Sequence, residues 1–150
     1  LFKGYRDPAL DAEAFDDRGR FRSGDLAVMR SDGHVSLTGR VKDIIIRKGE
    51  NIAAREIEDV LYAHPKVAAV AVIGLPDVDR GERVCAVVET AEGADDLTQA
   101  EMVAACAEAE LMVQKVPEQL VVHDGPMPRN ATLKVLKYEL KEALAEVPWP

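Results

Sequence analysis

The sequence predicts an α+β protein: a small domain with a central, mostly three-stranded β-sheet flanked by helices, preceded by a β-hairpin region. Three observations carry that expectation. Two alternating segments meet at Ser31-Asp32-Gly33, and Asp-Gly between such segments is a hairpin signal. Runs rich in β-branched residues at 43–47, 67–75 and 83–90 read as sheet strands. Apolar residues at helical spacing recur at 53–63, 98–113 and 135–145. From residue 41 the order is strand, helix, strand, strand, helix, strand, helix, which fits one compact domain of about 100 residues.

The elements follow in order. Residues 1–20 are loop-like, broken by Gly4, Asp7-Pro8 and Asp16-Asp17-Arg18-Gly19, with a short helical turn at 9–15. Segments 21–30 and 34–40 form the hairpin. In the second, Val35 and Leu37 alternate with His34, Ser36 and Thr38. The strand at 43–47 is built on Ile44, Ile45 and Ile46. The helix at 53–63 places Ile57, Val60 and Leu61 at i, i+3 and i+4, and Pro65 ends it. Segment 67–75 is too apolar for a strand covered on one side, so it is expected to be central in the sheet and covered on both faces. A turn at 76–81 leads to its partner, 83–90. Thr98 and Glu101 have the spacing of a capping box, which opens the next helix. Pro117 precedes a short strand at 120–123. A loop at 125–133 with two prolines and Asn130 leads to the last helix, whose stripe is Leu136, Leu140, Ala143 and Leu144. The Pro148-Trp149-Pro150 end is expected to be disordered.

Composition narrows the function. The chain has 150 residues, is 47% hydrophobic and carries a net charge of −8. That balance argues against a general nucleic-acid binder, which needs a basic field. Cys85 and Cys106 lack metal-ligand spacing and lie in apolar segments, so they read as buried, reduced thiols of a cytoplasmic protein. No apolar run approaches the roughly 18 residues of a membrane span. Leu1 is not a start methionine, and the expectation is a chain that begins inside a larger protein. The densest functional signal is the stretch 39–52: an isoleucine core with Arg40, Lys42 and Asp43 before it, Arg47, Lys48 and Glu50 after it, and Gly39 and Gly49 at its borders.

A set of short motifs, in order and at specific spacing, runs through almost the whole chain. They are Gly4-Tyr5, Phe21-Arg-Ser-Gly-Asp-Leu26, Gly39-Arg-Val-Lys-Asp43, Gly49-Glu-Asn-Ile52, Glu56-Ile-Glu58, Pro76-Asp77, Gly81-Glu82, Lys115-Val-Pro117 and Pro128-Arg-Asn-Ala-Thr-Leu-Lys134. Together they resemble the carboxy-terminal part of an adenylate-forming acyl-CoA synthetase. The resemblance implies a two-step reaction in which ATP converts a carboxylic acid to an acyl-adenylate and the thiol of coenzyme A then takes the acyl group. It implies that residues 41–147 are the small C-terminal lid domain, which pivots between the steps, and that residues 1–40 are the tail of the large N-terminal AMP-binding domain. Such gating suits a site that must keep water from a mixed anhydride and later admit a thiol.

The resemblance also assigns residues. Asp25 matches the aspartate that bonds the ribose hydroxyls, and a carboxylate accepts well from two vicinal hydroxyls. Arg40 matches a nucleotide-contacting arginine, and Lys42 the hinge position. Lys134 matches the adenylation lysine, whose compact charge suits a transition state that gains negative charge. Gly49 matches the glycine lining the pantetheine tunnel, with Arg47 and Lys48 as counter-charges for coenzyme A. Lys115 is a weaker candidate. Read as residues alone, each also fits a plain role: a turn aspartate, charged strand ends, a turn glycine, a solvated lysine at a helix start. Glu56 and Glu58 read as helix-surface residues, with Glu56 also placed to brace the loop after Gly49. His34, His64 and His123 are scattered and carry no assigned chemistry.

One departure stands out. Relatives usually have glycine before the lysine, and this chain has Leu133. The phosphate loop, acyl pocket and adenine-site motif of the family are absent from these residues, so the chain alone is expected to be inactive. Implied cofactors are ATP, coenzyme A and Mg2+, the last held mainly by the N-terminal domain. Implied partners are that domain and a small carboxylic acid, expected to be a fatty acid. Two other readings remain open at this level: an adenylating enzyme that loads a carrier-protein thiol, and a non-catalytic interaction module.

Overall fold

The computed structural model describes residues 2–147, so the Pro148-Trp149-Pro150 end lies outside the described residues. The chain divides into two compact units, one ending at Lys42 and the other starting at Asp43.

The first unit opens with a 3-10 turn at Pro8–Leu10, capped by the Asp7 carboxylate, and a single helical turn α1, Asp11–Ala14. Phe2, Tyr5, Phe15 and Phe21 make its small aromatic cluster, with ring centroids 4.9–5.9 Å apart. Strands β1, Asp25–Met29, and β2, Val35–Arg40, then pair antiparallel around the Asp-Gly turn. A register shift between Leu26 and Ala27 marks a bulge. Val28, Met29, Val35 and Leu37 are all exposed on this hairpin.

The second unit is the α+β domain. Its elements are β3, Ile44–Arg47; β4, Glu50–Ala53; α2, Ala54–Tyr62; β5, Val67–Asp77; β6, Gly81–Thr90; α3, Gln99–Glu108; β7, Gln119–Val122; and α4, Lys137–Leu144. The sheet has five strands, not mostly three, in the order β4-β3-β6-β5, with β7 also paired to β6. The extra strand arises because Lys48 and Gly49 turn the chain back on itself. Both have positive φ, 48° and 81°, and Arg47 faces Glu50 across the pair. That is the dihedral pattern of a two-residue hairpin turn whose twist matches the strands. Residues 50–53 therefore extend the sheet instead of leading directly into the helix.

The position of β5 also differs from expectation. Both of its faces are covered, but it pairs only with β6 and is an edge strand. The strand at the centre is β6, which pairs with β5, β3 and β7. An apolar run reports cover on its faces and says nothing about its neighbours in the sheet.

Two layers bury the sheet. Ile57 and Leu61 of α2 and Met102 and Cys106 of α3 pack on one face with Ile45, Ile52, Val72, Val84 and Val88. Leu140 of α4 and Met127 pack on the other with Ile73, Leu75, Cys85 and Val87. The capping box at Thr98 and Glu101 is formed as expected. Helix α3 stops at Glu108, earlier than its apolar pattern suggested, and Glu110 follows with φ 55°. Glu58 is not a surface residue. Its carboxylate accepts from Val72 N at 2.8 Å and pairs with Lys137 at 2.6 Å, tying α2 to β5 and α4.

Candidate functional site

The residues singled out by sequence fall into three groups. Asp25 and Arg40 are in the first unit. The pairing register sets them directly opposite each other on β1 and β2, and Arg40 Nε lies 3.1 Å from Asp25 Oδ1. Both side chains keep access to solvent, at 26% for Asp25 and 43% for Arg40. The arginine thus orients a carboxylate that still has lone pairs to offer a diol. Lys42 lies in the 3-10 turn at Val41–Asp43, at the boundary of the two units, and is exposed.

The second group surrounds Lys134. Its loop is pinned at several points. Glu89, near the end of β6, accepts from Met127 N at 2.6 Å and pairs with Arg129 at 2.8 Å. Burial pushes the Glu89 carboxyl up, but the Met127 N–H and the Arg129 guanidinium outweigh it and hold the group below its ordinary value. Asn130 closes the tip. Its side-chain oxygen accepts from Thr132 N, Thr132 Oγ1 and Lys134 N, at 3.0, 2.8 and 2.9 Å. Its backbone N–H donates to the Lys134 carbonyl at 2.9 Å. Leu136 N donates to Pro128 O at 2.8 Å, closing the base before α4 begins. The backbone of Lys134 is therefore fixed while its side chain is exposed, with no carboxylate at ion-pair distance among the described residues.

Leu133 has φ 63°, the left-handed region in which glycine is at ease and leucine is not. The loop keeps the geometry that a glycine would permit, and the leucine side chain points out, 75% exposed. Sequence reasoning missed Glu89 and the clamping role of Asn130. The Asn-x-Thr signal of a side-chain-closed turn was present at 130–132. Nothing local marks Glu89, whose partners lie about forty positions away.

The third group is the turn after β3. Gly49 needs its positive φ, and a Cβ there would meet nothing within 4 Å. Lys48 is exposed and its backbone N–H donates to Arg80 O at 2.8 Å. Arg47 is committed elsewhere: its Nε donates to Glu118 Oε1, and only 18% of the side chain is exposed. Lys115 is likewise engaged, at 2.7 Å from Glu56 of α2. The turn is carried at the start of β6, where Arg47 faces Gly81 and Glu82 accepts from Ile46 N at 2.7 Å. Gly74 leaves room for that carboxylate, since a Cβ there would sit 2.7 Å from it. The Lys134 loop is anchored at the other end of the same strand. Glu82 and Glu89 are seven residues apart on β6, roughly 23 Å at the rise of a strand.

The chain is similar to parts of several known enzymes. The medium-chain fatty-acid–CoA ligase of Escherichia coli K12 is 41% identical over 143 residues, 95% of this chain and 25% of its own length. The crystal structure of ATP-bound MatB from Rhodopseudomonas palustris superposes with a TM-score of 0.86 at 36% identity, covering 98% of this chain and 29% of that one. The amide bond synthetase McbA from Marinactinospora thermotolerans gives 0.82 at 37% identity, covering 94% and 28%. The chain thus spans about a quarter of the length of the curated relatives it matches. Residues 56–134, most of the second unit, match the AMP-binding enzyme C-terminal domain. With that match the chain belongs to the AMP-binding enzyme C-terminal domain family.

Proposed function

We propose that this chain is the C-terminal part of an acyl-CoA synthetase, an acid-thiol ligase that uses ATP to form an acyl-adenylate and then a coenzyme A thioester. The observation that carries this is the separation of two built elements along β6. An exposed lysine stands on a pinned loop at one end, and a tight glycine turn with an exposed lysine stands at the other. One reaction centre cannot use both at once from a fixed domain. Use in sequence, with the domain turning about the boundary at Lys42, accounts for both.

In this reading Lys134 stabilises the charge that develops as the carboxylate attacks the α-phosphate and the α–β phosphoanhydride bond breaks to release pyrophosphate. Asp25, oriented by Arg40, receives the ribose hydroxyls. The exposed hairpin of residues 25–40 continues into the large AMP-binding domain that precedes it. Coenzyme A enters past Gly49, with Lys48 beside its phosphates. Mg2+ would accompany ATP and be held by residues outside this chain; among the described residues no cluster of His, Cys, Asp and Glu is arranged to hold a metal. The acid is proposed to be fatty, as the name of the E. coli relative suggests. The two buried thiols suit a cytoplasmic protein. A second reading has another acceptor in place of coenzyme A: a carrier-protein thiol, or an amine, as the name of the amide bond synthetase McbA suggests.

The test is made in the full-length protein. Lys134→Ala is expected to lower ATP–pyrophosphate exchange on the order of 10²–10³-fold, the usual effect of removing one transition-state donor. Full exchange by that variant refutes the role. Product formed with a phosphopantetheinyl protein and not with free coenzyme A moves the assignment to the second reading.

A further inference from the structure

We infer that Glu118 is a positioning residue for the thioester-forming turn, holding Lys48 and Gly49 from both sides through Arg47 and Arg80. The inference rests on the function proposed above. Glu118 lies just before β7, far from the turn in sequence, and its side chain is 16% exposed. Its Oε1 receives Arg47 Nε, and Arg47 is the residue immediately before Lys48. The same oxygen lies 3.7 Å from Arg80 Nε, a buried nitrogen with no hydrogen-bond partner of its own. Arg80 in turn accepts the Lys48 N–H through its carbonyl at 2.8 Å. One carboxylate therefore faces both Arg47, the residue before the turn, and Arg80, whose carbonyl receives the Lys48 N–H and whose guanidinium also pairs with Asp77 at 3.2 Å.

Glu118 is itself well fixed. Its Oε2 accepts from Val84 N at 2.8 Å, and its backbone N–H donates to Val84 O at 3.0 Å. Both contacts are to the central strand β6. The regular ladder cannot do this work, because β3 and β6 are in register only at Arg47 and Gly81. Where the ladder stops, carboxylates from Glu82 and Glu118 replace it. The arrangement also reassigns Arg47. A guanidinium matched by Glu118 and largely covered is not the counter-charge for a ligand phosphate. Lys48, exposed and with no carboxylate at ion-pair distance among the described residues, keeps that part.

The experiment uses the full-length protein and reads its two half-reactions separately: ATP–pyrophosphate exchange for adenylate formation, and thioester production against coenzyme A concentration. Glu118→Gln keeps the shape and removes the charge. It is expected to lower kcat/KM for coenzyme A by about 10–100-fold, as a sub-ångström to ångström misplacement does. Adenylate formation stays within about twofold, since Lys134 is held from the far end of β6. Glu118→Asp, which restores the charge, is expected to recover part of the loss. If Glu118→Gln fails to fold, as thermal unfolding would report, Glu118→Asp is read in the same way, its shortened side chain giving the smaller selective defect. Equal losses in both half-reactions, or unchanged coenzyme A kinetics, overturn the positioning role. A parent protein that forms adenylate but no thioester with coenzyme A overturns the proposed acceptor instead, a result distinct from the other two.

Discussion

Replacing Leu133 by glycine should stabilise the chain, although it removes an entire side chain. Leu133 holds φ 63° in the Asn130–Lys134 loop. An L-residue in the left-handed region costs about 1–2 kcal/mol relative to the right-handed one. Glycine is free of that cost but gives the unfolded chain more freedom, worth about 0.5–1 kcal/mol. Burial contributes little to the balance, because the leucine is 75% exposed. The difference favours Leu133→Gly by about 0.5–1 kcal/mol. For a domain of this size that corresponds to a rise of about 2–5 °C in Tm. Leu133→Ala is the control, since alanine has a Cβ and the same strain, and should lie within about 0.5 kcal/mol of the parent. Leu133→Val, stiff at χ1, should be less stable than either. Thermal and urea unfolding followed by circular dichroism measure all three. A glycine variant less stable than the alanine variant refutes the strain, because it leaves only the unfolded-state entropy. In the full-length protein the same substitution also asks whether strain beside Lys134 governs adenylation.

Glu89→Gln should loosen the Lys134 loop by weakening the Met127 and Arg129 contacts, at a cost of about 1–3 kcal/mol in urea unfolding. A loss no larger than that of an exposed surface control refutes the anchor. The Lys66 ammonium, followed by the Thr98 backbone N–H and hydroxyl, lowers Glu101 from 4.5 to about 2. A depressed carboxylate contributes stability in full above 4.5 and loses it as pH falls toward about 2. Urea midpoints at pH 7 and pH 3 should therefore differ less in Glu101→Gln than in the parent. Burial pushes the Cys85 thiol up to about 12 against the pull of Arg83, and burial raises Cys106 as well. Both should react with a thiol reagent only after unfolding, and rapid labelling of the native chain contradicts this.

Much of the fold was legible because it rests on local rules. The hairpin at 31–33, the α2 stripe and the Thr98 capping box each need only a few neighbouring residues. What escaped depends on partners distant in sequence. Strand β4 is short and polar at its start, and it becomes a strand because the turn at Lys48-Gly49 delivers it to β3. The place of β5 at the edge is fixed by what β6 pairs with on its other side, which no property of β5 encodes. The site divides the same way. Asp25 and Arg40 were found separately by motif, but their contact follows from strand register. Glu89 and Glu118 belong to no motif, the Gly81-Glu82 motif says nothing of what Glu82 holds, and each of the three acts on backbone about 34 to 38 positions away.

Those three glutamates have a common logic. Under the proposed function, a domain that presents different ends to one reaction centre cannot keep its working segments on free loops, or each reorientation would deliver a blurred geometry. It also cannot bury them in the sheet, because the working atoms must remain exposed. Carboxylates that reach from β6 and from the residue before β7 to the backbone of β3, of β6 and of the loop before Lys134 satisfy both requirements. They fix the main chain of Ile46, Val84 and Met127 while Lys48 and Lys134 stay open to solvent. Each such bond is charge-assisted and so stronger than the neutral ladder bond it replaces. The strain at Leu133 is tolerable for the same reason. Asn130 and Glu89 over-determine the loop, so one residue in an unfavourable conformation does not release it.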